Sequence, residues 1–161
     1  MKIIEYNNKY LENVKDLLVE LEEYVISIDK YNLDQLHDEY RDKMAIINIE
    51  KINNNNGKCY LALENNKVIG LIMGCIFPYD KYDYLDYKCP KRGEIIELIV
   101  SKNTRSNGIG TKLIKTLEDY FKSKDCEYVI VDVFAYNKIG INFYNKNGYH
   151  ARMHTKIKKL D

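Results

Sequence analysis

The sequence has 161 residues, of which 45% are hydrophobic and 30% charged, a balance typical of one soluble globular domain. The formal net charge is +1, from 25 Lys and Arg against 24 Asp and Glu. A charge so near zero gives no electrostatic basis for binding nucleic acid or an anionic membrane, so we expect neither partner. No apolar run is long enough to span a bilayer and no signal peptide is evident, so we expect a cytoplasmic location. The cysteines Cys59, Cys75, Cys89 and Cys126 lack a C-x-x-C or framework spacing and are expected to be free thiols.

Hydrophobic periodicity predicts alternating strands and helices along the chain. The N-terminal half is predicted to contain a strand at 2–6, a helix capped by Asn8 and reaching Val25, and a helix at 33–52 with Leu36, Tyr40, Met44 and Ile47 on one side. A hairpin of strands at 59–63 and 68–77 and a loop at 78–92 follow. The C-terminal half is predicted to contain strands at 94–100 and 128–134, helices at 108–122 and 139–145, and a final strand at 149–159. This order predicts a mixed α/β sheet in a single domain, residues 1–161.

The sharpest feature is the loop that follows the predicted strand at 94–100. It reads Arg105-Ser106-Asn107-Gly108-Ile109-Gly110-Thr111 and leads into a helix. A helix N-terminus leaves about four backbone N–H groups without internal partners and carries partial positive charge. Two glycines one residue apart allow a ligand to approach this backbone closely. A diphosphate is the natural occupant, bound by the amides of residues 107–111 with Arg105 adding charge.

Two other phosphate-binding motifs do not fit this loop. A P-loop needs Lys after its last glycine, where Thr111 stands, and a dinucleotide fingerprint needs a third glycine, where Leu113 stands. For the loop taken alone, a turn that only permits tight packing remains an alternative.

A second motif lies downstream, where Asn137, Gly140, Phe143-Tyr144 and Gly148-Tyr149 follow one another. Together with the Arg-x-x-Gly-x-Gly loop, this segment resembles the GNAT superfamily of acetyl-CoA-dependent N-acyltransferases in order and spacing. The resemblance covers nearly the whole chain. The departures are Ser106, where the family usually has Gly, and Gly140, where it usually has Ala.

The resemblance implies a mixed, mostly antiparallel twisted sheet of six to seven strands flanked by about four helices. It also implies a splayed central strand pair, with the pantetheine arm of acetyl-CoA between the strands. The donor would then contact Leu98, Ile99 and Val100, the loop 105–111, the side-chain amide of Asn137, and Tyr144. A simple turn role for Asn137 after its strand remains an alternative.

Two glutamates, Glu94 and Glu97, are candidates for the general base. An acceptor amine with a pKa near ~10.4 must lose a proton before it attacks, and a carboxylate on a partly buried strand can take that proton. The two are three residues apart, so a regular strand would point them to opposite faces and only one would line the site. Glu94 is preferred because it aligns with the base of several family members, although a solvated or ion-paired role is an alternative for either.

The remaining catalytic groups are a donor for the oxyanion and an acid for the leaving thiolate. A backbone N–H near Leu98 or Ile99 would stabilise the oxyanion if the strand bulges there. The resemblance implies Tyr144 as the general acid. No cysteine has the context of a nucleophile, so we expect direct transfer in a ternary complex.

The acceptor is less well defined by the sequence. The loop 78–88 interleaves tyrosines with aspartates, which suits a cationic amine, although a solvated loop explains it equally well. The acidic residues between Asp34 and Asp42 are expected to be an exposed helix face. His150 and His154 lie far apart along the predicted last strand, so we expect no metal. Exposed strand edges at the C-terminus suggest a homodimer.

The leading hypothesis is an N-acetyltransferase that moves an acetyl group from acetyl-CoA to a primary amine. That amine would be a small polyamine, an aminoglycoside-like compound, or a protein lysine or N-terminus. A non-catalytic acyl-CoA-binding regulatory module on the same fold is the alternative. A nucleotide-binding protein is a third possibility, but it would need a lysine and acidic metal ligands that the sequence does not provide.

Overall fold

The computed structural model describes residues 1–105 and 107–160. Its elements in chain order are β1 (Lys2–Glu5), α1 (Leu11–Ile28), α2 (Tyr40–Asn54), β2 (Lys58–Glu64), β3 (Lys67–Cys75), β4 (Arg92–Val100), α3 (Ile109–Ser123), β5 (Tyr128–Val131) and α4 (Lys138–Lys146). The strands form one sheet in sequence order, antiparallel from β1 to β4, with β5 parallel to β4. The predicted mixed sheet with four flanking helices is confirmed, with five strands described instead of six to seven.

Two hydrophobic layers hold the sheet between helices. Helices α1 and α2 pack on one face through residues such as Leu18 and Ala45, and α3 packs on the other through residues such as Leu113 and Phe121. β3 is central, and its neighbouring residues Leu71 and Ile72 are fully buried in opposite layers. Burial on both faces explains why this strand reads as a nearly continuous apolar run.

The sheet opens between β4 and β5. The two strands pair only where Arg92–Ile95 runs beside Tyr128–Val131. Beyond that point β4 continues to Val100, whereas β5 ends, three residues earlier than the predicted limit of Phe134. The implied splay of the central strand pair is therefore present, and it exposes one backbone edge of the second half of β4.

The N-terminal helices begin later than predicted. The Asp29 carboxylate accepts backbone N–H bonds from Tyr31, Leu33 and Asp34, which holds this segment in a loop, and α2 starts only at Tyr40. The predicted cap Asn8 lies inside a short 3-10 turn capped by Asn7. On α2 the buried residues are Ala45, Asn48 and Ile52. Leu36 and Ile47, predicted to share one side of this helix, are both exposed, and Leu36 precedes the helix.

The predicted final strand at 149–159 is wrong for this chain. The segment alternates apolar and polar side chains, but in residues 149–160 no strand forms. Met153 and Leu160 are each 80% exposed. A strand needs a neighbour to receive its backbone hydrogen bonds, and the alternation alone does not supply one. Among the helices of the described ranges, none combines the length and the apolar character needed to cross a bilayer.

Candidate active site

The N-terminus of α3 carries backbone donors that precede its helical hydrogen bonds. Gly108 precedes the helix with φ +69°, a left-handed conformation that favours glycine, and an added Cβ there would meet no atom within 4 Å. The first intrahelical bond runs from the Lys112 N–H to the Gly108 carbonyl at 3.1 Å, so the amides of residues 109–111 precede the helical ladder. The predicted loop residue Ser106 lies outside the described residues, and Asn107 is exposed.

The second glycine of the loop serves packing. A Cβ on Gly110 would lie 2.9 Å from the Cζ atom of Phe143, so only glycine lets α3 approach α4 this closely. The two motifs of the sequence therefore meet at one contact. Gly110 thus permits close packing of the two helices, while Gly108 stands in open space.

Asn137 is the N-cap of α4. Its Oδ1 atom accepts a bond from the Gly140 N–H at 2.8 Å and another from the Tyr24 hydroxyl at 2.9 Å. These bonds leave the Nδ2 group as the side-chain donor that a cofactor carbonyl could use. They also explain the departure at Gly140, because a Cβ there would lie 2.5 Å from that Nδ2 atom.

Arg105 is folded back toward α1. Its Nε atom donates to the Val100 carbonyl at 3.0 Å, its guanidinium lies 5.7 Å from the centre of the Tyr24 ring, and one terminal nitrogen is 3.9 Å from Glu20. Tyr24 therefore contacts both Arg105 and Asn137, one residue from each motif. The sequence analysis missed this tyrosine, since helical periodicity alone marks it as an ordinary aromatic residue of α1.

A bulge in β4 changes which side chains share a face. Met73 pairs with Glu97 and Gly74 with Ile95, so Ile96 is an extra residue between two paired positions. The bulge lies at Ile96, and not near Leu98 or Ile99 as the hypothesis for the oxyanion donor required. A bulge redirects the side chains that follow it.

Because of this bulge, Glu94 and Glu97 lie on the same face of the sheet. Glu97 bonds to Asn48 of α2, and Lys51 of the same helix is close enough to lower the pKa of both glutamates. Ile96 packs in the layer of α1 and α2 as well. The prediction that the two carboxylates point to opposite faces is wrong, since it assumed a regular strand.

Glu97 is the more strongly perturbed of the two carboxylates. Burial raises its pKa to about 7, with the negative charge of Glu22 adding to this effect and the hydrogen bond from Asn48 at 2.9 Å opposing it. Burial and the charge of Asp132 also raise the pKa of Glu94. A carboxylate whose pKa is near 7 is basic enough to accept a proton at neutral pH, as a general base must.

Helices α1 and α2 supply Glu22 and Tyr40 to the surroundings of Glu97. The Tyr40 hydroxyl donates to Glu22 at 3.3 Å, and burial raises the pKa of the Glu22 carboxyl. The charges of Glu22 and Glu97 both add to burial in raising the pKa of Tyr40. Across the described ranges, no Lys, Arg or His nitrogen lies within salt-bridge distance of Glu22, Glu94 or Glu97. The sequence could have revealed Asn48, as a polar residue on the buried side of α2.

Tyr144 reaches the site from α4. Its ring packs edge-on against Phe143 and Tyr149, with centroid distances of 5.4 and 5.5 Å. Burial raises the pKa of its hydroxyl and the charge of Glu97 raises it further, so the phenol stays protonated at neutral pH. The charge of Glu97, the second of the two candidate bases, therefore acts on the predicted acid, Tyr144.

The three strand residues predicted to contact the donor differ in orientation. Leu98 and Val100 are partly buried on the side of α3, whereas Ile99 is buried in the opposite layer and can contribute only its backbone.

The predicted acceptor loop lies between β3 and β4 and is braced by its own contacts. The Tyr79 hydroxyl donates to the Pro90 carbonyl at 2.7 Å, and Arg92 stacks 4.6 Å from the Tyr79 ring, while Tyr82 and Tyr84 are exposed. A cavity of about 490 Å³ opens beside this loop, but Glu94, Glu97 and Tyr144 do not line it. Asp38, Glu39 and Asp42 are exposed as expected, but Asp34 and Asp38 lie in the loop before α2 and not on a helix face. Nowhere in residues 1–105 and 107–160 do three metal-binding side chains gather.

The sequence matches the Acetyltransferase (GNAT) family over residues 21–149. The chain belongs to this family. An uncharacterized N-acetyltransferase of Methanocaldococcus jannaschii is 36% identical over 94 residues, which cover 58% of this chain and 53% of that protein. The chain thus spans about half the length of that relative. A glucosamine 6-phosphate N-acetyltransferase of Candida albicans is 28% identical over 149 residues, covering 92% of this chain and 85% of that protein.

Solved structures support the fold. A mutant of a Bacillus halodurans protein superposes with a TM-score of 0.84 at 16% identity, covering 99% of both chains. An aminoglycoside N-acetyltransferase in complex with CoA superposes with a TM-score of 0.70 at 14% identity, again covering 99% of both chains. At such low identity these likenesses show the architecture of this GNAT protein and do not define its substrate.

Proposed function

We propose that this GNAT protein is an N-acetyltransferase that transfers an acetyl group from acetyl-CoA to a cationic primary amine. The observation that carries the proposal is the position of Glu97. Its carboxyl follows the bulge at Ile96, has a pKa of about 7 and is influenced by Glu22 of α1, and its charge acts on the protonated phenol of Tyr144. A base and an acid that influence each other suit acyl transfer from a thioester to an amine.

The donor side fits acetyl-CoA. The amides of residues 109–111 and the open backbone at Gly108 suit the pyrophosphate, with Arg105 able to add charge by leaving Tyr24. The unpaired edge of β4 between Ile96 and Val100 suits a pantetheine amide chain, which can form strand-like hydrogen bonds. Acetyl-CoA supplies the activated acyl group at the thioester carbonyl.

Glu97 is the proposed base in preference to Glu94. Glu97 takes one proton from the ammonium group, so that the neutral nitrogen can bond to the thioester carbonyl carbon. When the carbon–sulfur bond breaks, Tyr144 donates a proton to the sulfur, and the second proton that the nitrogen loses returns to the Tyr144 oxygen. We prefer Glu97 because its charge raises the pKa of Tyr144 and because its own pKa, about 7, suits a base at neutral pH.

The acceptor is proposed to carry positive charge beyond its reacting amine. Lys51 lowers the pKa of both Glu94 and Glu97, and Arg92 lowers that of Glu94, whereas Glu22 raises the pKa of Glu97 and Asp132 that of Glu94. The carboxylates therefore outnumber the cations in this region. A polyamine, an aminoglycoside or a lysine-rich peptide would neutralise this charge. A phosphorylated sugar such as glucosamine 6-phosphate, named for the Candida relative, would be repelled by the same carboxylates.

A thiol-release assay with acetyl-CoA tests this function. The acceptors are spermidine, an aminoglycoside, a lysine-rich peptide and glucosamine 6-phosphate, with product masses measured in parallel. We expect turnover on at least one cationic acceptor and none on the sugar phosphate. Stabilisation by acetyl-CoA without turnover on any amine would instead support the acyl-CoA-binding module. Preference for the sugar phosphate would overturn the assignment of the acceptor.

A further inference from the structure

Tyr24 of α1 joins the two segments that are proposed to hold the acyl donor. Its hydroxyl donates to the Asn137 Oδ1 atom at 2.9 Å, and its ring centre lies 5.7 Å from the Arg105 guanidinium. Asn137 caps α4, whereas Arg105 belongs to the loop that leads to α3. Helix α1 therefore contacts both segments through one side chain that has no part in the proposed proton transfers.

A second residue of α1, Glu20, holds the same loop. Its carboxylate accepts the Lys102 N–H at 2.7 Å and lies 3.9 Å from a terminal nitrogen of Arg105. Residues four apart on a helix lie on one face, so Glu20 and Tyr24 approach the donor-binding segments from the same side. Glu20 thereby fixes the loop, and Tyr24 reaches beyond it to Asn137.

The Tyr24 hydroxyl helps to determine which way the Asn137 amide faces. The Asn137 Oδ1 atom accepts two bonds, one from this hydroxyl and one from the Gly140 N–H at 2.8 Å. A carbonyl oxygen has two lone pairs, so both bonds can form at once. A flipped amide would present its NH₂ group to the Gly140 N–H, which is itself a donor. The two bonds on Oδ1 thus keep Nδ2 available to donate to a ligand carbonyl.

The Tyr24 bond also fixes where Asn137 lies. Residues 132–137 connect β5 to α4 without regular structure, and the Gly140 bond spans only the first turn of α4 itself. It therefore orients the amide without holding the start of α4 relative to the sheet. Helix α1 packs on the sheet through Leu18, in the same layer as Ile99 of β4. The bond from Tyr24 ties Asn137 to that rigid layer.

We propose that Tyr24 is a positioning residue for the acyl donor, because its hydroxyl holds the Asn137 amide so that Nδ2 can donate to a carbonyl of acetyl-CoA. The inference rests on the proposed binding of acetyl-CoA. Tyr24 takes no part in the transfer itself, so its hydroxyl contributes to the affinity for the donor and not to the rate of the bound complex. A purely structural tie would contribute to folding stability and leave donor affinity unchanged.

Calorimetric titration of the full chain with CoA is the first test. Tyr24→Phe removes the hydroxyl and keeps the ring against Arg105, and we expect the Kd for CoA to rise about two- to tenfold, the usual effect of losing one hydrogen bond. The KM for acetyl-CoA should rise by a similar factor, with kcat at saturating donor unchanged. Tyr120→Phe is the matched control, because it removes a hydroxyl bond to the Asn56 carbonyl at 2.7 Å near the C-terminal end of α3. Its Kd should equal that of the parent.

The same change in an Asn137→Ser background shows whether Tyr24 acts through Asn137. Serine can still cap α4 but has no amide donor. Adding Tyr24→Phe to Asn137→Ser should leave the Kd for CoA unchanged, because the group that Tyr24 positions is absent. A full loss of affinity in that background, a parent-like Kd for Tyr24→Phe alone, or a fall in kcat in place of a rise in KM would each overturn the inference and leave the proposed function intact. A parent chain that binds no CoA would overturn both.

Discussion

Asn48 donates its side-chain amide to the Glu97 carboxylate at 2.9 Å, and this bond opposes the effect of burial on the glutamate. Asn48 is only 3% exposed and is the one buried polar residue among those described. Burial raises the Glu97 pKa and the bond from Asn48 lowers it, with a result of about 7. The glutamate is thus both protonated and ionised in comparable amounts at neutral pH, which suits a group that accepts a proton in each turnover.

Glu97→Gln should lower kcat about 100- to 10,000-fold, the range expected when a general base is lost. The rise in rate near pH 7 should disappear from the profile of the variant. Steady-state kinetics from pH 5 to 9 provide the measurement. Glu94→Gln is the matched control, because it neutralises a second carboxylate on the same face. A larger loss from Glu94→Gln than from Glu97→Gln would assign the base to Glu94.

Asn48→Leu should shift the rising limb of the pH–rate profile to higher pH. The substitution keeps a similar side-chain volume but removes the hydrogen bond that stabilises the ionised Glu97. The rate plateau at high pH should be largely retained, because the base itself is still present. An unchanged profile would mean that Glu97 does not control the rate.

Glu97 should make folding stability fall as pH rises. Its folded-state pKa of about 7 lies above the ordinary value of 4.5, so the folded protein binds more protons than the unfolded chain between these values. The unfavourable contribution is absent below pH 4.5 and complete above pH 7. Urea unfolding at pH 5 and pH 8 measures it, and Glu97→Gln should gain stability relative to the parent at the higher pH. Equal differences at both pH values would contradict the assigned pKa.

Gly110→Ala should destabilise the fold by about 1–3 kcal/mol, the usual cost of overpacking. The new methyl group would collide with the Phe143 ring. Phe143→Leu should restore part of the loss when combined with it, which a double-mutant cycle in urea would show. Gly108→Asn is the comparison at the neighbouring glycine, and it should cost less because Asn tolerates the left-handed backbone and space is open there.

Elements with strong hydrophobic periodicity were predicted correctly from the local sequence. The prediction failed where contacts with distant residues determine the limits of an element. The helix at α3 and the hairpin of β2 and β3 lie within a few residues of their predicted limits, because apolar spacing and the Asn65-Asn66 turn determine them locally. The start of α2 depends on the carboxylate of Asp29, eleven residues earlier in the chain than Tyr40, which no helical pattern reveals.

The site shows the same limit. Gly108, Gly110 and Asn137 could be identified from the sequence alone, because the motifs that contain them are defined by residue order and spacing. The common face of Glu94 and Glu97 could not, since it depends on one unpaired residue in β4 that becomes visible only when the register with β3 is known. Glu22 and Tyr40 were not predicted as site residues, because they come near Glu97 only when α1 and α2 pack against the bulged strand.

The bond between Tyr24 and Asn137 joins positions 113 residues apart. Glu22 lies two positions before Tyr24 on α1, so the helix that carries Glu22 is connected to the start of α4, and Arg105 contacts the same tyrosine. If Arg105 leaves that ring for a pyrophosphate, as proposed above, α1 loses one of its contacts beside the proposed amine site and can adjust. Such a linkage favours compulsory order, in which the acyl donor enters first and the amine second.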